Sequence, residues 1–454
     1  MFKKLLSVLL VVAIVFLTNA CTPSNVEPPS SDDQSDEQEL TVYLDAYTKD
    51  FMNLLIEQFS KKHPSVEINI EDYSSLTSPD YRTKISGELM SGGGPDIMLV
   101  SNASYGNTLE NLTKLLQNGK LLDLNTLQIN TENCYDQVLK AGQYNGGQFL
   151  MPLNFNLGFL LTSQERVAEY SLKTDDGLKA FSQSLESVYA QDKYAFVDYF
   201  KTEYLYPQHG IQMIDYANNA LIDTAENRAT LKNWAEGFDR LFPNILNGSY
   251  DKYNFLKYWG KYDYSLDKAF VCGDLMFIGA RAFNGTYSNL SSLNSMAKAI
   301  ANSGETPLLL TMPTSSGDNT APNINFYLVA NANTKSTEAV TSFINTALGE
   351  DAQHVLAAQT GIPNNKIVVD YMKKFYSGEA VPEKYQYFPD SYMFSDALLQ
   401  TFFDAIDSMK DGVYIDANIS NILFLLVKSY ILQEKDFESA FDDCEQAIKI
   451  YLTE

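Results

Sequence analysis

Ser91-Gly92-Gly93-Gly94-Pro95-Asp96 leads into Ile97-Met98-Leu99-Val100, four apolar residues in succession, and then into Ser101-Asn102. The glycines and proline end a preceding helical pattern. An unalternating apolar run of this length is what a strand covered on both faces of a parallel sheet requires. Upstream, Leu40 to Leu44 predicts a first strand, with Asp45-Ala46-Tyr47 at its carboxyl end. Phe51, Leu54, Leu55 and Phe59 recur at helical spacing until His63-Pro64 stops the pattern. Val66, Ile68 and Ile70 alternate as a strand, and Ser78-Pro79 supplies the cap and first position of a helix carrying Tyr81, Ile85 and Leu89. The order is β-α-β-α-β. In open α/β sheets the residues just past the carboxyl ends of strands line the ligand crevice, so Ser101 and Asn102 are expected on one wall of a cleft.

From Leu160 to Pro307 the patterns are mainly helical, with two or three strands between them; Thr224 caps a helix that places Leu231, Trp234, Phe238 and Leu241 on one face. After Pro363 almost everything is helical: Tyr371 to Phe375, Ala397 to Met409, Ile419 to Leu432, and Phe437 to Leu452. The run Ile422 to Val427 is too short for a membrane span and predicts a buried helix.

With 454 residues the chain exceeds one ordinary core, and two large lobes are the simplest division. At 45% hydrophobic and 20% charged residues it can bury a sizeable core. Its formal charge of −24 becomes −26 without the Lys3 and Lys4 of the leader, and no basic cluster interrupts it, which excludes nucleic acid as a partner class. The four cysteines, at 21, 134, 272 and 444, form no C-x-x-C pair and have no neighbouring histidine, so neither a metal site nor a disulfide framework is expected.

Residues 1–20 have the charge, apolar run and small residues of a secretory leader. Leu17-Thr18-Asn19-Ala20-Cys21 resembles the bacterial lipobox, which implies a diacylated Cys21 and a lasting membrane anchor. The Pro, Ser, Asp, Glu and Gln of residues 22–39 cannot support a core and form a tether reaching about 20 to 25 Å as a random coil.

Strand, helix ending in His63-Pro64, short strand, helix, Gly94-Pro95-Asp96 and apolar strand together resemble the family 1 extracellular solute-binding proteins of ABC importers, the maltose-binding-protein-like group. Later segments fit in order: Leu121-Leu122-Asp123-Leu124, Asn145 to Pro152 as the strand that leaves the first lobe, Gly273 to Gly279 as a Gly-x-x-Met strand, Leu308 to Pro313 as the return hinge strand, Asn325 to Val329 as the strand re-entering the first lobe, and Thr337 to Leu348 as a helix followed by the turn Gln359 to Pro363. The resemblance implies an α/β, two-lobed fold of the type II periplasmic-binding-protein kind, with a cleft between discontinuous lobes and a helix-rich second lobe. Residues 40–153 with 321–364 would form lobe one, and 157–310 with 365–454 lobe two. It further implies a lipid-anchored, monomeric, extracytoplasmic receptor that delivers a small ligand to an ABC permease and uses no cofactor.

There is no G-x-S-x-G, H-E-x-x-H or G-x-x-x-x-G-K-[ST], and His63, His209 and His354 stand in unrelated contexts. A carboxylate pair of the glycosidase kind has no fixed spacing, so an extracellular carbohydrate-active enzyme stays open on the residues alone. A purely structural adhesin is a third reading and would have no deep cleft. The 29 tyrosines and 26 phenylalanines supply ring faces suited to sugars, although the two tryptophans do not fall where many sugar binders use them. By the resemblance the ligand-binding residues are Asp45, Tyr47, Ser101, Asn102, Asn154, Asn156, Arg281, Phe283, Asn325 and Tyr392. Arg281 would clamp a carboxylate or vicinal hydroxyls above Phe283. The expected ligand is a mono- or oligosaccharide; the alternative is the same fold holding a sugar acid, polyol or polyamine.

Overall fold

The computed structural model describes residues 39–101, 109, 112–173, 176–195, 212–241, 266–277, 290–315, 320–359, 361–385, 395–414 and 416–453. The expectations placed on Cys21, Asn102, Arg281, Phe283 and Tyr392 lie outside these residues. In chain order the strands are β1 Glu39–Leu44, β2 Glu67–Asp72, β3 Ile97–Ser101, β4 Gln143–Tyr144, β5 Gly147–Gln148, β6 Leu150–Asn156, β7 Phe159–Ser163, β8 Ile214–Asp215, β9 Ala220–Leu221, β10 Pro307–Thr311, β11 Asn323–Ala330 and β12 Ile362–Pro363.

Six strands form one mixed sheet in the order β12-β6-β11-β3-β1-β2. β1 runs parallel to β2 and β3, whereas β11 enters antiparallel between β3 and β6. Every residue of β3 is buried, which explains its unbroken apolar run. Side chains alternate between two cores. Leu40, Val42, Leu44, Ile97, Leu99, Phe326 and Leu328 meet Met52, Leu55 and Phe59 of the helix Lys49–Lys62 and Val340, Phe343 and Ile344 of the helix Thr337–Leu348. Tyr43, Met98, Val100, Tyr327 and Val329 face the larger core on the other side. Each fully buried side chain of this size is worth about 1.5 to 3 kcal/mol relative to exposure.

The chain leaves this sheet after Asn156, and β7 pairs antiparallel with β10 from Ser163 and Pro307 to Phe159 and Thr311. Helices surround this two-stranded sheet. The helix Ala225–Leu241 buries Leu231, Trp234, Phe238 and Leu241, and the Thr224 hydroxyl accepts from the Asn227 N–H at 3.1 Å. Phe402, from the helix Asp396–Asp407, stacks on Phe159 with ring centroids 5.0 Å apart. Arg166 is buried where these elements meet. It donates to the Leu275 and Phe270 carbonyls, each at 2.5 Å, and pairs with Glu305 at 2.7 Å.

Several elements differ from their sequence expectation. The cap of the helix Ser78–Ser91 is Thr77, which accepts from the Asp80 N–H; Ser78 is already inside the first turn. Asn145 to Pro152 is not one strand: Asn145 and Gly146, with φ of 47° and 80°, turn β4 into β5 before β6 begins. Of the strand expected over 273–279, residues 278 and 279 lie outside the described residues; within them Leu275 bridges Tyr194 in parallel, the Phe277 N–H donates to the Ala195 carbonyl, and Met276 and Phe277 are buried. The helix Ala417–Ile431 buries Leu423, Leu426 and Val427 but leaves Leu425 60% exposed, so the apolar run is not buried all round. Ile70 is 44% exposed because β2 is an edge strand. No helix among the described residues is long and apolar enough to cross a membrane.

Candidate functional site

β1 and β3 are parallel, and β6 and β3 are each antiparallel to β11, so the carboxyl ends of β1, β3 and β6 open at one edge of the sheet. The same edge receives the start of β11. Asp45, Tyr47, Ser101, Asn154, Asn156 and Asn325 therefore collect there from four strands far apart in sequence.

Asp45 is buried, and the chain's own donors surround its carboxylate. Oδ1 accepts the N–H of Tyr47 at 2.6 Å and of Thr48 at 3.0 Å, and Oδ2 accepts the Thr48 hydroxyl at 2.6 Å. This arrangement pins the entry to the helix Lys49–Lys62 and satisfies N–H groups that a helix start leaves open. Tyr47 is turned outward and is 47% exposed. Ser101 and Asn154 stand on either side of Phe326 in the pairing register, so the three form one row across β3, β11 and β6.

Asn325 occupies the register shift between Ile324 and Phe326, where β11 bulges against β6. The bulge brings its Oδ1 within 2.6 Å of the donating Asn156 Nδ2. Gly361 has φ of +72° and lies directly against this pair. A Cβ there would sit 2.7 Å from Asn325 Nδ2, 2.8 Å from the Phe155 carbonyl oxygen and 2.9 Å from Asn156 Oδ1. The two amides are thus held by backbone that admits no side chain. Ser101, Asn154 and Asn156 are buried beneath the edge, whereas Tyr47 is its exposed ring.

A second constellation was not read from the sequence. Asp416 caps the helix Ala417–Ile431 by accepting the Asn418 N–H at 2.7 Å, and it is buried. Its Oδ2 also accepts the hydroxyls of Thr113 at 2.8 Å and Tyr451 at 3.0 Å. Thr113 belongs to the helix Leu112–Gln117 that follows β3, and its hydroxyl is 3.1 Å from that of Tyr414. Burial pushes Tyr414 well above the ordinary tyrosine pKa, and the Asp416 charge adds to the shift. Hydroxyls therefore solvate a buried carboxylate where helices from opposite ends of the chain meet. The one local sign of it is the Asp-x-Asn start of a helix, which reads as a simple cap.

Cys134, Cys272 and Cys444 are all free thiols, and no group of His, Cys, Asp or Glu among the described residues is arranged to hold a metal ion.

Solved structures resemble this chain along almost its whole length. An extracellular solute-binding protein family 1 member from Alicyclobacillus acidocaldarius superposes with a TM-score of 0.55 at 20% identity, over 92% of this chain and 98% of that one. The GacH receptor of Streptomyces glaucescens, solved unliganded and with acarbose, gives 0.55 at 13% identity over 92% and 98%. The cyclic α-maltosyl-1,6-maltose binding protein of Arthrobacter globiformis gives 0.57 at 16% identity over 91% and 98%. At these identities the likeness establishes the two-lobed α/β fold. No curated protein matches the chain. Residues 55–384 match the bacterial extracellular solute-binding proteins, and the chain belongs to that family.

Proposed function

We propose that this protein is an extracytoplasmic receptor that captures a mono- or oligosaccharide by hinge closure and delivers it to an ABC permease. The observation that carries the reading is the convergence of Tyr47, Ser101, Asn154, Asn156 and Asn325 on one sheet edge, beside the crossings from β6 to β7 and from β10 to β11. A ring face with hydroxyl and amide groups is the chemistry a sugar needs, and the Streptomyces and Arthrobacter relatives carry saccharide ligands in their names. In this reading lobe one is 40–153 with 321–364 and lobe two is 157–310 with 365–454, and ligand draws the two together. Asp45 acts by positioning Tyr47; Asn102, Arg281, Phe283 and Tyr392 complete the cleft. Cys21 carries the lipid anchor, and residues 22–39 let the receptor turn above the membrane.

The test is a thermal-shift screen over sugars, polyols, sugar acids and polyamines. A ligand present at 100 times its dissociation constant adds about 2.7 kcal/mol of stability. The binding sugar should also shrink the molecule in solution scattering, and Arg281→Ala should weaken it by about 1.5 to 3 kcal/mol. A response to a polyamine alone would move the ligand class, and turnover of a sugar would replace the receptor reading with an enzyme. Cys21→Ala should release protein from the membrane or stall the precursor.

A further inference from the structure

We propose that the protein carries a second small-molecule site, for an organic ammonium ion, at the end of the six-stranded sheet opposite the candidate cleft. A cavity of about 610 Å³ lies there, lined in part by Leu116, Asp123, Tyr144, Gly147, Phe149 and Tyr216. That volume falls within the range of about 300 to 1,000 Å³ typical of small-molecule pockets. β6 begins at Leu150, just after Gly147 and Phe149, and ends at Asn156 in the cleft edge. At about 3.3 Å per residue the two places are about 20 Å apart.

The floor is aromatic. Tyr144 stands with its ring centroid 4.9 Å from Tyr216 and 6.3 Å from Phe149, and Tyr414 backs Tyr216 at 5.5 Å. Asp123 sits beside these rings. Its Oδ1 accepts the N–H groups of Gln148 and Asn125, both at 3.0 Å, which fixes the carboxylate in place. A Cβ on Gly147 would lie 2.5 Å from the Phe149 ring and 3.0 Å from Asp123 Oδ2, so the bare glycine lets the ring and the carboxylate stand together against the backbone.

Among the described residues Asp123 is the one charged residue in the lining, which contains no lysine or arginine there. Aromatic rings present negative faces to a cation, a fixed carboxylate adds to that attraction, and the chain's net charge of −24 attracts cations to the mouth. An anion is repelled by all three. A neutral sugar could use the rings and amides but would gain nothing from the charge, and that difference decides between them.

Choline and its uncharged analogue 3,3-dimethylbutan-1-ol have nearly the same shape and can be titrated calorimetrically into the full chain at constant ionic strength. Choline should saturate a single site, with the alcohol binding about tenfold or more weakly. Asp123→Asn keeps an acceptor for Gln148 and Asn125 but removes the charge, and should lower choline affinity about tenfold. Tyr216→Leu should lower it in the same direction, and melting curves would show whether each variant is folded. Equal affinity for the two probes overturns the proposal. So does the absence of saturable heat up to about 10 mM choline, a very weak interaction on any affinity scale. Choline binding unchanged in both variants would place the cation elsewhere and also overturn it. A sugar bound in the cleft is read from different residues and is unaffected by either result.

Discussion

Gly361→Ala tests the construction of the sheet edge that carries the candidate site. Alanine at φ +72° occupies the left-handed region, at about 1 to 2 kcal/mol. The new Cβ also falls 2.8 Å from the Phe155 carbonyl oxygen and within 3 Å of the Asn156 and Asn325 amides. Backbone oxygen cannot swing away as a side chain can, so the overpacking cost of about 1 to 3 kcal/mol applies, for a total of about 2 to 5 kcal/mol. Gly146→Ala is the matched control. Its φ is +80°, but no heavy atom lies within 4 Å of the new methyl, so only the backbone cost of about 1 to 2 kcal/mol remains. Urea unfolding followed by circular dichroism, compared at unchanged slope, measures both. The difference between the variants isolates the contacts made by the Asn156–Asn325 pair and the Phe155 carbonyl. If Gly361→Ala lies within about 0.5 kcal/mol of Gly146→Ala, the edge is not closed in the way described. Under the proposed function, ligand binding should also weaken in Gly361→Ala, because the two amides must separate to admit the methyl.

Asp416→Ala removes a helix cap and leaves the Thr113 and Tyr451 hydroxyls without their acceptor, and should cost about 2 to 4 kcal/mol by the same measurement. Arg166→Met removes a buried guanidinium and leaves the half-buried Glu305 carboxylate without its partner. Burial alone would raise the Glu305 pKa, but the Arg166 guanidinium and Ser163 hydroxyl outweigh it and hold the carboxyl below its ordinary value of 4.5. A depressed folded pKa gives stability that is present above the unfolded value and is lost as pH falls through the folded one. With the Leu275 and Phe270 carbonyls also losing their donor, the variant should be about 2 to 4 kcal/mol less stable at pH 7, and its deficit should shrink on acidification below about 4.5; a deficit constant with pH would refute this. Burial pushes the Cys134 and Cys444 thiols up to about 12, while Cys272 is exposed. In a Cys21→Ser chain, native labelling at pH 8 should find one fast thiol, lost in Cys272→Ser, and denatured labelling three.

What the sequence determined by itself was local. Periodicity placed the helices Lys49–Lys62 and Ala225–Leu241 and the strands β1 and β3, because a buried face imposes its spacing on the chain whatever packs against it. It also carried the family resemblance, through short turns whose order along the chain survives. The one-residue shift of a cap to Thr77 and the hairpin before β6 show its limit, since turn chemistry is satisfied by more than one register. Tertiary structure alone decided which residues share a site. Nothing near Asn325 in sequence announces that a bulge in β11 delivers it to Asn156, or that Gly361 must be bare to let them meet. Thr113, Asp416 and Tyr451 are likewise joined across more than 300 residues by a buried carboxylate that needs hydroxyl donors. Such demands are met in space, by whichever donors the fold brings near, and so leave no spacing along the chain to be read.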